Sequence, residues 1–289
     1  MLALLLAGCS KKAEETVVTE APEKVWSVTQ FNALYDELQT FYTIMDGSGK
    51  LIVIDGGISD NEEIVRRVIE EYGGKVSAWI LTTPDYKHIG AFLRIYENPG
   101  NITIDKVYDA FIDRQRYESY ASRDASEMYR EYLDVTKDDE KIIHVYRDAK
   151  FYACGLTFEC FNAYDSYVEQ YSDDLNQDGS LMLKISGDKQ SMLFCGDITA
   201  AMEELLTDEY SDRLASDYVI MSNHGNNGLS VDFYKLVSPS VAFFDGKEAI
   251  YNQDEVAEGH RYSDYKAYFT EQGVTMYDLS TAPNIIELR

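Results

Sequence analysis

From Phe41 onward, short apolar runs alternate with stretches in which apolar residues recur every three or four positions, the pattern of strands interleaved with amphipathic helices. "FYTIM" and "KLIVID" flank the turn "DGSG", which predicts a hairpin with glycine where a positive φ is wanted. After Gly56 and Gly57, Asp60 or Asn61 stands where a cap is needed for "EEIVRRVIEEY", whose Ile64, Val65, Val68 and Ile69 share one helical face. "YGGKV" closes that helix with glycines, and "SAWILT" reads as the next buried strand. The segment is a βαβ unit.

A further strand-like run, "DKVYDAFI", leads into the polar region 113–141, where "RYESYASRDASEMYREYL" reads as one long or inserted helix. Strands return at "KIIHVY", "KFYAC" and "LTFECFNA", and again at "SLMLKIS", "SMLFCGD", "DYVIMSN" and "SVAFFD". "AAMEELL" and "VDFYKLV" are the intervening helices, and the end of the chain supplies a helix and two strands. No fixed period repeats and no Pro, Gly or Ser linker divides the body, so residues 25–289 are expected to form one α/β domain.

Composition changes this picture in two respects. The 289 residues carry 26 Lys and Arg against 51 Asp and Glu, a formal net charge of -25. Such a surface repels polyphosphate and anionic membranes at long range, and no basic run offsets it, which argues against a nucleic-acid partner. The 23 tyrosines suit a carbohydrate or peptide surface, but tyrosine is also a good strand former, and that is the default reading.

The opening "MLALLLAGCSKKAEETVVTEAPEK" is a different kind of text. An apolar run followed by Leu6-Ala7-Gly8-Cys9 resembles the lipobox of bacterial lipoproteins, which implies lipid attachment at Cys9 and an extracytoplasmic protein tethered to a bacterial membrane. Residues 1–24 are then a truncated signal followed by a charged, flexible stalk, with the true start expected upstream of Met1. No other apolar stretch is long enough to span a bilayer. Of the remaining cysteines, Cys154 and Cys160 could pair across a hairpin or stand reduced on one strand face, while Cys195 reads as a small hydrophobe. None has a thiolate-activating neighbour in the sequence.

Candidate chemistry collects where strands end and turns begin, the usual place for sites on α/β sheets. Asp85 and His88 follow "AWILT", Asp197 follows "MLFCG", and His224 follows "DYVIMS". Brought together, two carboxylates and two imidazoles can hold a divalent ion and lower the pKa of a bound water. Taken singly, each has a plainer role: His88 or Asp197 as a helix cap, and His224-Gly225 as a turn. Neither His144, in a strand-like run, nor His260, in a polar loop, is assigned a role. "DLNQDG" opens like a calcium loop, but Ile185 stands where the bidentate Glu is required, so it reads as a turn, with calcium as a lesser alternative.

The order "LIVIDGG", "ILTTPDYKHIGAF", "NQDGSLMLKI", "MLFCGD", "YVIMSNHGNNGLSVDFYKLVSPSVAFF" resembles the metallo-β-lactamase fold superfamily, closest to its ComEC-type hydrolase branch. The likeness runs from Phe41 to the C-terminus and implies a four-layer αββα sandwich with one or two metals, commonly zinc, at one edge. The motif is degenerate. The family's His-x-His-x-Asp-His, or His-x-Asp-x-Asp-His in that branch, stands here as Thr83-Pro84-Asp85-Tyr86-Lys87-His88, so Asp85 and His88 match while Thr83 and Lys87 depart. Asp197 matches the bridging Asp, His224 is kept, and Asn223 replaces a His.

At position 87 an ammonium replaces a carboxylate and repels a second cation, unless it turns away or loses its proton. It could instead occupy the second ion's place, held by Asp85 and Asp197. The resemblance therefore implies a hydrolase with a reduced centre, with zinc or manganese at His88, Asp197 and His224, assisted by Asp85. Metal-activated water would attack a small-molecule ester or phosphoester, and Lys87 would stabilise the developing anion. The alternative is a catalytically silent scaffold of the same fold, without metal, that binds a ligand or partner at the cell surface.

Overall fold

The computed structural model describes residues 23–32, 38–251 and 256–289. Cys9 and nearly all of the expected signal and stalk lie outside them. Seven strands come first: β1 (Trp26–Gln30), β2 (Phe41–Asp46), β3 (Leu51–Asp55), β4 (Lys75–Leu81), β5 (Thr103–Ile104), β6 (Val107–Asp109) and β7 (Ile142–His144). Seven more follow: β8 (Lys150–Ala153), β9 (Leu156–Asn162), β10 (Met182–Ser186), β11 (Ser191–Phe194), β12 (Tyr218–Ile220), β13 (Val241–Phe243) and β14 (Thr275–Tyr277). The last strand, β15 (Asn284–Leu288), returns to the first sheet beside β1.

The first sheet runs β15-β1-β2-β3-β4-β6-β7 with β5 beside β4, and the second runs β14-β13-β12-β11-β10-β9-β8. Each has an antiparallel half and a parallel half. In the first, pairing becomes parallel from β3 to β4 onward; in the second, from β11 to β12 onward. The parallel halves explain the unbroken apolar runs in the sequence, because both faces of those strands are covered.

Side-chain alternation divides the core. Ile52 and Ile54 of β3 and Ala78 and Ile80 of β4 face Phe158, Leu183, Ile185 and Phe194 between the sheets. Leu51, Val53, Trp79 and Leu81 face outward onto α1 (Glu62–Glu71), α2 (Tyr86–Glu97) and α4 (Arg123–Val135), with α3 (Arg114–Tyr120) beside α4. The short α5 (Ser166–Tyr171) and α6 (Leu175–Asp178) precede β10, while α7 (Glu203–Leu214), α8 (Val231–Val237) and α9 (Tyr262–Gln272) cover the outer face of the second sheet. The result is helix, sheet, sheet, helix. No helix among the described residues is long and apolar enough to cross a membrane.

Three local expectations need correction. The polar region forms two helices rather than one, because Ser122 adopts an extended conformation and its hydroxyl accepts the Ala125 amide as a new cap. "DLNQDG" is the one-turn helix α6, not a turn. Asp174 caps it, and Asp178 is buried against Ser172 and Thr199, which leaves no calcium loop. Asn61 precedes α1 without a side-chain cap and donates its amide to Gln39 instead.

Cys154 sits at the apex of the β8-β9 turn at φ 49, whereas Cys160 points between the sheets, so the two are free rather than paired. Gly90 explains how α2 seats. A Cβ there would lie 2.3 Å from the Ser59 amide nitrogen, so only glycine lets the helix approach the turn after β3.

Candidate metal centre

The parallel strands of both sheets point their C-terminal ends to one rim. β3 delivers Asp55 there, β4 delivers Thr82 and the start of α2, β11 delivers Asp197, and β12 delivers Asn223 and His224. Asp55 ends its strand at φ 54 and is fully buried. Its carboxylate accepts the Thr82 amide at 2.8 Å, the Thr82 hydroxyl at 2.6 Å and His88 Nδ1 at 2.9 Å. The other nitrogen of that ring, Nε2, lies 3.0 Å from Asp197 Oδ2, and His224 Nε2 lies 3.6 Å from Asp197 Oδ1. The two imidazole rings tilt toward each other with centroids 5.4 Å apart.

His88, Asp197 and His224 each offer a ligand atom within 4.8 Å of the others, and all three residues are buried. Asp85 is not a member of that trio. It is the N-cap of α2, accepting the Lys87 amide at 2.9 Å, and its side chain lines the same small cavity of about 190 Å³, together with Lys87, Asn176, Asp197, Asn223 and His224. The plainer roles therefore go to other residues. Asp85 caps α2 rather than His88, and Thr199 rather than Asp197 caps the turn that leads to α7.

Electrostatics follow from burial among unlike charges. Burial works against charge on His88, but the carboxylates of Asp197 and Asp55 outweigh it and hold the imidazole well above its usual range. Burial likewise opposes ionisation of Asp197, yet His88, His224 and Lys87 hold it below the ordinary carboxylate range. His224 goes the other way: burial pushes it down to about 4, and the pull of Asp197 does not compensate. Burial raises Asp85, opposed by the His88 charge.

Two nitrogens and one oxygen are the kind and number of donors that an open, mononuclear site uses. Asp55 holds the His88 ring by Nδ1, which presents Nε2 to the trio, the orienting arrangement that metal-bound histidines rely on. His224 Nδ1 is buried without a hydrogen-bond partner, so this ring has a nitrogen the protein does not use. The residues fit one divalent ion. Lys87 stands against a second: its side chain lines the cavity and its charge is felt at both Asp197 and His224. None of the ion pairs within 4.0 Å found among the described residues holds its ammonium, which lies 5.9 Å from the Tyr86 ring centroid, so Asp85 and Asp197 do not clamp it. Thr83 is buried, and its hydroxyl donates to the Asn176 carbonyl at 3.1 Å.

Several residues of this region went unassigned in the sequence. Asp55 is the chief one, a lone acid at the end of a buried strand, where only solvent-facing turns or buried partners make sense. Asp178 accepts the Thr199 amide at 2.7 Å and so ties the loop after Asp197 to α6. Asp245, beyond β13, is raised to about 6 by burial, with Tyr42, Gln30 and Thr40 bonding to it in opposition. His144 and His260 stay outside the trio: the first bonds Asp109 at 2.7 Å and the second the Gly228 carbonyl at 2.8 Å.

The αββα sandwich, with a His-Asp-His trio at its strand ends, is similar to solved structures that share one fold. Over 91% of this chain and 99% of the other, the metallo-β-lactamase fold protein YhfI from Bacillus subtilis superposes with a TM-score of 0.54 at 10% identity. Unliganded yeast PDE1 superposes over 88% and 97% with a TM-score of 0.53, also at 10% identity. CmlA, a diiron β-hydroxylase from Streptomyces venezuelae, matches 93% of this chain at 11% identity and a TM-score of 0.54, this chain spanning 55% of its length. The chain has the metallo-β-lactamase fold. Neither a protein-family model nor a curated protein sequence matches it.

Proposed function

We propose that the chain is a metal-dependent hydrolase of the ComEC-type branch of this fold, with a single-ion centre at His88, Asp197 and His224 that acts on a small ester or phosphoester. The observation that carries the proposal is the convergence of three buried ligand atoms within 4.8 Å, delivered by three separate strand ends. A zinc or manganese ion there would polarise the scissile group and acidify a coordinated water. Asp55 orients His88 throughout, and Asp197 faces both imidazoles. Asp85, which lines the same cavity, would assist from there, while Lys87 would supply a positive charge for the anion that develops in the transition state. In this reading Cys9 carries a lipid and the domain works outside the cytoplasmic membrane, which metabolic labelling with a fatty acid, lost in Cys9→Ser, tests directly.

One observation favours a second reading. Asp55, His88 and Asp197 already form a hydrogen-bonded chain in which one imidazole bridges two carboxylates without any ion, so the fold can be kept while the reaction is lost. Elemental analysis after purification with zinc or manganese separates the two. About one equivalent supports the hydrolase; less than about one-tenth supports a silent surface scaffold. The double change Thr83→His with Lys87→Asp is expected to raise occupancy toward two ions and to confer or increase hydrolysis of a generic phosphodiester. If occupancy stays at one, Lys87 is not what excludes the second ion.

A further inference from the structure

His224 is held in an unusual way. Asn223 and His224 adopt φ 45, ψ 49 and φ 59, ψ 4, two successive left-handed residues that carry side chains. Gly225 follows at φ 98, where a Cβ would meet the Phe244 ring at 2.2 Å. Such a backbone persists only if its surroundings over-determine it. Two donors converge on the His224 carbonyl: the Asp245 amide at 3.2 Å and the Tyr251 hydroxyl at 2.8 Å. Tyr251 is buried and stacks on Tyr262 with centroids 4.4 Å apart and planes 14° apart. The Tyr262 amide in turn donates to Asn226 Oδ1 at 2.9 Å, which closes the ring of contacts back onto the same loop.

We infer that Tyr251 is a positioning residue for the metal centre: through its bond to the His224 carbonyl it selects the left-handed backbone that turns the imidazole toward Asp197. This rests on the single-ion reading above, and only the phenol oxygen is at issue, because the stacked ring survives in Tyr251→Phe. The same change at Tyr218, whose hydroxyl donates to the Glu287 carbonyl at 2.9 Å, removes an equivalent bond away from the rim and serves as the control.

Cobalt(II) is titrated into the full-length protein and the visible ligand-field bands are followed. Tyr251→Phe is expected to weaken cobalt binding about tenfold or more and to shift the bands, with Tyr218→Phe indistinguishable from the parent. Binding within about twofold of the parent, with unshifted bands, overturns the inference while leaving the metal reading intact. A parent that binds no cobalt fails the metal reading alone. In that event the His224 ring resonances of the metal-free protein decide: a change in Tyr251→Phe and not in Tyr218→Phe supports the positioning role, and unchanged resonances overturn it.

Discussion

Replacing Asp55 with asparagine removes one charge and almost no volume from a fully buried carboxylate of the rim. The amide can still accept the Thr82 backbone N–H, and its NH₂ can turn to the Thr82 hydroxyl, but His88 Nδ1 then faces a neutral group. His88 is fully buried with its charge held between Asp55 and Asp197, so the change leaves half of that compensation. Because Asp197 still faces His88, the loss is that of one charged hydrogen bond, about 1.5–3 kcal/mol. At roughly 2–4 °C per kcal/mol in a chain of this size, the melting midpoint should fall by about 3–12 °C. In the proposed single-ion centre, loss of the bond that orients His88 should also weaken zinc affinity by about 10- to 100-fold. Calorimetry on metal-free protein and a competitive zinc titration read the two effects separately. A midpoint within about 2 °C of the parent, together with unchanged zinc affinity, would mean that Asp55 does not organise His88.

The pair formed by His144 and Asp109 makes a pH prediction of known sign. The hydrogen bond that His144 Nδ1 donates to Asp109 raises the imidazole above 6.5 despite partial burial, so its contribution to stability is complete below about pH 6.5 and fades as pH rises through the raised value. Nuclear magnetic resonance should show His144 titrating above a free histidine, and Asp109→Asn should return it to the ordinary range. Thiol labelling gives another test: Cys154, partly exposed, should react in the native protein. Cys160, whose thiol burial pushes up to about 12, and the fully buried Cys195 should react only after unfolding. Native labelling of all three would contradict the packing of β9 and β11.

The strands were readable because parallel strands covered on both faces must be apolar throughout, as "LIVI" and "AWIL" are. The rim residues were readable because Asp85, His88, Asp197 and His224 are polar at the ends of such runs. What could not be read depends on register or on partners distant in sequence. Asp55 before two glycines looks like a turn residue, and its role exists only because β3 lies parallel to β4 and brings Thr82 alongside. Ser122 looks like a tolerated residue inside a long helix, since nothing local says whether its hydroxyl will bond backward or cap forward. Tyr251 carries no signal of its own: its partner, His224, is brought to it by the second sheet's own fold. Lys87 was legible as a cation among the candidate ligands, but not the direction its ammonium takes.

The polar seam formed by Gln30, Thr40, Tyr42 and Asp245 joins the two sheets by directional bonds in an interior that is otherwise greasy. Apolar faces alone tolerate sliding, whereas a fastener of this kind admits one alignment. That matters because the trio is assembled like a clasp: His88 comes from one leaf, Asp197 and His224 from the other. The aperture between its jaws is therefore a property of how the leaves are pinned together, and changes at the pin should be felt at the mouth.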